Sequence, residues 1–123
     1  MRIAFLLPAA LPITLLAAPA HAEALAGPWR VTGAILGHAF ALDCRFSGSG
    51  GTCTETGTAE GKAGKVHALT SASQSGNRVT WSYPASAFLM KFDMTFTGTL
   101  AGDAITGTAT AAGRKGTFTA RRN

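Results

Sequence analysis

The chain has 123 residues, with eleven Lys and Arg against six Asp and Glu, and only two cysteines. That length carries one domain rather than several. The basic residues are scattered and no basic–aromatic platform accompanies them, which excludes a dedicated nucleic-acid surface.

The first element is not structural. Met1-Arg2 gives a positive start, an apolar run reaches Ala18, and Pro19-Ala20-His21-Ala22 places small residues at the −3 and −1 positions of a cleavage site. This is the layout of a cleavable secretory signal over 1–22. The apolar run is short for a membrane anchor and carries Pro8 and Pro12. It lacks the paired arginines of a twin-arginine signal, so Sec-type bacterial export to the periplasm or medium is expected, with 23–123 as a single mature domain. In that oxidising compartment an even cysteine pair reads as a disulfide, Cys44–Cys53, rather than a metal site.

From residue 23 onward helical periodicity is absent and period-two alternation recurs, broken by Gly, Ser and Asn. It predicts eight strands, at 28–36, 38–46, 51–59, 64–71, 77–84, 87–99, 104–110 and 115–122. The fold class is all-β. The expected architecture is a small eight-stranded antiparallel up-and-down β-barrel, a meander, with a two-sheet sandwich as the structural alternative. One hairpin can be registered. With Gly48-Ser49 as a two-residue turn, Cys44 falls opposite Cys53 in a non-hydrogen-bonded pair, close enough for a bridge.

The clearest strand alternates Phe88, Met90, Phe92, Met94 and Phe96 with Leu89, Lys91, Asp93 and Thr95, one face apolar and the other largely polar. Gly-Thr pairs recur at Gly57, Gly98, Gly107 and Gly116, with glycine facing inward and threonine outward. Inward glycine permits sharp bending. Regular threonine arrays also serve ice-binding faces, but those are flat and a coiled barrel is not.

Gly27-Pro28-Trp29 opens the first strand and Arg121-Arg122 closes the last. In this pairing the sequence resembles the calycin superfamily of lipocalins and avidins. The resemblance implies Trp29 as a plug at the closed end of a barrel, with Arg121 or Arg122 across its ring as a cation–π partner. No biotin-binding set is present. Leu25-Ala26-Gly27-Pro28-Trp29 is also similar to the start of strand one in periplasmic inhibitors of serralysin-type metalloproteases. That likeness implies an N-terminal trunk that enters a hydrolase cleft, although only Glu23–Ala26 precede the glycine and the predicted disulfide is placed differently.

The barrel interior is the first place to expect a site, whether filled by side chains or holding one small ligand. The residues that would meet a small apolar or amphipathic ligand are Glu55, Trp81, Tyr83, Met90, Phe92 and Met94. Glu55 is registered opposite Leu42, pointing inward, and needs a partner there, with His67 and Arg30 the candidates. His38 and His67 match no metal spacing. No Gly-x-Ser-x-Gly elbow or recognisable Ser/His/Asp arrangement occurs, so no catalytic residue, metal or cofactor is assigned. The expected roles are non-catalytic ligand binding, interaction with an envelope protein or hydrolase, or an envelope-associated structural or stress role. The outward Thr, Lys and Asp and the Arg-Arg-Asn ending argue against a membrane-spanning barrel.

Overall fold

The computed structural model describes residues 24–57, 63–87 and 89–123; the expected signal over 1–22, Ala59 and Phe88 lie outside them. The fold is all-β and antiparallel. Its strands are β1 (Gly27–Ile35), β2 (His38–Ser47), β3 (Gly50–Glu55), β4 (Val66–Ala68), β5 (Ser71–Ser75), β6 (Arg78–Ala87), β7 (Met90–Ala101), β8 (Ala104–Ala111) and β9 (Arg114–Arg122). They form one curled sheet in the order β4-β3-β2-β1-β9-β8-β7-β6-β5. No helix among the described residues is long and apolar enough to cross a membrane.

The count corrects the expected eight strands to nine. Ser71–Ser75 is a strand, but its concave-side residues are Ala72 and Gln74, so no apolar alternation announces it. The predicted strand 87–99 also begins too early: the chain turns at Leu89, and β6 runs through Pro84 to Ala87. Pro84 faces Asp93 on β7, while β5 pairs no further than Ser71 with Ser82. Its missing N–H therefore falls on an unpaired flank. The third strand ends at Glu55, leaving Gly57 exposed in the left-handed region rather than inward.

β4 and β5 are the sheet's two edges, yet only Leu69 and Thr70 separate them in the chain. The Leu69 amide donates to Gly51 O in β3, and the Thr70 amide donates to Ser82 O in β6, each at 2.9 Å. The chain itself thus bridges the seam, without a ladder.

Two-residue loops at 36–37, 48–49, 76–77, 102–103 and 112–113 join consecutive strands, and Leu89 stands at the turn before β7. Alternate loops lie at opposite ends of the curl. One end carries 48–49, 76–77, 102–103 and the first and last described residues. The other carries 36–37, Leu89, 112–113 and the end of β3 at Glu55.

The disulfide forms as registered. Cys44 pairs with Cys53 in the β2–β3 ladder, their Cα atoms 4.0 Å apart, and both are buried.

The tight curl has a sequence cause. A Cβ at Gly107 would stand 2.1 Å from Thr97 O, and one at Gly116 would stand 1.9 Å from Ala34 O. Phe118, paired with both Gly107 and Gly33, fills the space these strands leave. Threonines occupy the convex face, where Thr97, Thr106, Thr108, Arg78 and Lys115 line an open depression of about 400 Å³.

Candidate binding site at the open end

The concave interior is layered from one end to the other. At the end bearing the first and last described residues, Trp29 is fully buried and its Nε1 donates to Leu25 O at 2.8 Å. Arg122 lies over the ring, its Cζ 4.3 Å from the centroid. The same guanidinium donates to Ala24 O (2.7 Å) and Ala26 O (3.0 Å), and its Nε lies 3.3 Å from Asp103 Oδ1. Arg121 is exposed instead. The Leu25 amide donates to Gln74 Oε1, so residues 24–26 lie against this end and close it.

The middle layer is aromatic. Trp81 stacks on Phe96 with centroids 5.0 Å apart, and Phe46 and Phe118 meet it edge-on at 4.8 and 5.4 Å. Phe40 meets Phe96 at 5.8 Å. These rings fill the centre, which accounts for the threadbare glycine and alanine positions on β8 opposite them. Trp81 Nε1 is the one buried side-chain polar atom among the described residues that has no hydrogen-bond partner.

The third layer opens toward the other end. Strand alternation brings Ile35, Phe40, Ala85, Phe92 and Ala111 to concave-side positions toward this end of five strands, and all are half-buried against the core. They form an apolar annulus. Within it His67 Nε2 lies 2.6 Å from Glu55 Oε2, with the imidazole buried and the Glu55 side chain 22% exposed. The His67 ring stacks on Tyr83 at 4.4 Å. Burial pushes the Tyr83 phenol well above its ordinary value of 10, and the neighbouring Glu55 carboxylate adds to the shift.

Glu55 thus has His67 as its partner, while Arg30 pairs with Asp43 at 2.6 Å on the convex face. The six residues singled out for ligand contact do not form one cluster. Glu55 and Tyr83 both contact His67, Phe92 is half-buried opposite Ala85, Met94 is buried, Trp81 belongs to the central stack, and Met90 is 54% exposed. Alternation could not foresee the His67–Tyr83 stack, because β4 and β6 are not ladder partners. Among the described residues no three His, Cys, Asp or Glu side chains converge to hold a metal.

Tyr83 is the chain's single tyrosine, so its titration can be read directly. A raised folded-state value means the native state holds the proton more tightly than the unfolded state. The resulting stability is present below about pH 10 and is lost as pH rises above it. Phenolate absorbance should therefore stay absent while the fold persists past pH 10 and appear together with unfolding. A simple titration near pH 10 in a folded protein would refute the burial argument.

The outer rim of this end differs from the opposite one. At the closed end each two-residue loop starts with glycine in the left-handed region: Gly48, Gly76 and Gly102. At the open end the left-handed region is also entered by Leu36, Leu89 and Ala112, with φ of 52°, 64° and 50°. Each such non-glycine residue costs about 1–2 kcal/mol. Leu36 and Leu89 are 60% and 107% exposed. The Leu36-Gly37 pair at a hairpin tip was the sequence signal for this projection.

No family model, curated protein or solved structure matches this chain.

Proposed function

We propose that the chain is an exported, non-catalytic binding protein, calycin-like in plan, whose open end takes a small amphipathic molecule. The ligand's apolar part lies against Ile35, Phe40 and Phe92, and its polar end reaches the Glu55–His67 pair. The observation that carries this reading is the half-buried apolar annulus beside a buried imidazole paired with a partly exposed carboxylate. Ligand sites commonly combine an apolar wall with a few convergent polar groups. The filled middle layer makes this a shallow end site rather than a deep central cavity. The Cys44–Cys53 bond fits an oxidising compartment, and with the signal-like sequence of 1–22 it supports periplasmic or secreted placement. Because residues 24–26 lie along the closed end, the hydrolase-inhibitor alternative has no projecting trunk among the described residues.

Native mass spectrometry with dodecylamine and dodecanol as probes tests the reading. Wild-type protein should carry one alkyl chain, and Phe92→Asp should lose it. Glu55→Gln should retain the alcohol while releasing the amine. A bare wild-type protein, or an adduct indifferent to Phe92→Asp, would overturn the proposal.

A further inference from the structure

The four large hydrophobic side chains exposed among the described residues are Leu36, Val66, Leu89 and Met90. Topology places every one of them at the open end: at the β1–β2 loop, the start of β4 and the β6–β7 loop. Isolated exposed hydrophobics are ordinary, but their confinement to one end is not. Leu36 and Leu89 also sit at left-handed turn positions where asparagine or glycine is the relaxed choice. The chain therefore carries leucine there against its local conformational preference.

Charge follows the same pattern. Lys65 precedes Val66, Lys91 follows Met90, and Arg114 and Lys115 follow the β8–β9 loop, all exposed. The β1–β9 register sets Ile35 against Gly116 and so brings Leu36 alongside Lys115. The acid nearest this rim on a described convex-side position is Asp93. The β6–β7 ribbon also outruns its neighbours: β8 pairs no further than Ala111 with Met94, and β5 no further than Ser71 with Ser82. Met90 and Leu89 therefore stand at the tip of a two-stranded finger.

We propose that this rim docks on an anionic lipid bilayer, with Leu36, Leu89 and Met90 entering the headgroup–acyl boundary and Lys65, Lys91 and Lys115 facing anionic headgroups. Separate apolar tips interleaved with cationic side chains match an interface of that depth and charge. They do not make the continuous flat patch that a protein partner of ordinary size covers. The inference stands apart from the ligand reading, because none of these residues belongs to the annulus.

Vesicle flotation tests it, using phosphatidylcholine alone and phosphatidylcholine with one third phosphatidylglycerol. The variant is Leu36→Asn/Leu89→Asn, in which asparagine relaxes the turn, so that lost binding cannot be charged to misfolding. Wild-type protein should float with the anionic vesicles only, less so at high salt, and the double variant should bind roughly tenfold less. Lys91→Gln/Lys115→Gln should weaken binding similarly and remove most of the salt dependence. Absence of flotation overturns the proposal. So does flotation unchanged in the leucine variant, which would reduce it to bulk charge. A concentration-dependent dimer without lipid, abolished by the leucine variant, would assign the rim to a second copy instead.

Discussion

Gly107→Ala is expected to cost about 3 kcal/mol and lower the thermal midpoint by roughly 12–24 °C. The residue lies in β8 with no left-handed backbone, so alanine meets no dihedral penalty. The penalty is collision: the added carbon would stand 2.1 Å from Thr97 O and 2.5 Å from Gly98 Cα, both backbone atoms that cannot rotate away. Relieving the clash means flattening the sheet where β7, β8 and β9 bend, and that withdraws Phe118 from Trp81 and Phe96. The opposing effect, a less flexible unfolded chain, favours alanine by only about 0.4–1 kcal/mol. Gly50→Ala is the control, since its nearest neighbour is Ser47 O at 4.0 Å, and it should be neutral or slightly stabilising. Urea denaturation of the two variants decides the matter. If Gly107→Ala is as stable as wild type, the curl does not depend on close strand approach at this position.

Removing the bridge with Cys44→Ala/Cys53→Ala should lower stability by about 2–3 kcal/mol. The separation of nine residues makes a short loop, so the entropic gain lies at the modest end. Its position raises its importance. β3 is joined to β2 on one side and on the other only to β4, a three-residue edge strand. The bridge therefore holds the side of the sheet that carries Glu55 and His67. Hydrogen exchange should show β3 and β4 amides losing protection before those of β7–β9. Uniform loss throughout the sheet would show that the bridge acts on the whole domain rather than on this flank.

Much of the fold was legible where local chemistry and pattern agreed. The β2–β3 register followed from a glycine-led two-residue turn, and it placed both the disulfide and Glu55. Alternation ties Gly98, Gly107 and Gly116 to the inward side of Phe96, Ile105 and Phe118. β5 was not legible because Ala72 and Gln74 give no apolar stripe. The turn at Leu89 was hidden inside an apolar run that lacks glycine, asparagine or proline. The candidate site was half legible. Glu55 followed from register with His67 and Arg30 both open as partners, while the annulus depends on how far each strand runs before turning, which single-strand patterns do not state.

β1 lies in the middle of the sheet, between β2 and β9. Its second flank, from Trp29 to Ile35, is completed only by residues 116–122. A chain delivered from its N-terminal end therefore carries a bare central strand until residues 116–122 arrive. Hairpins β2–β3 and β6–β7 can zip early, but the curl cannot shut before β9 is released. Folding of this small domain is thus a late, concerted event of high contact order, and the interval before it is when the half-made sheet is most open to pairing with another chain.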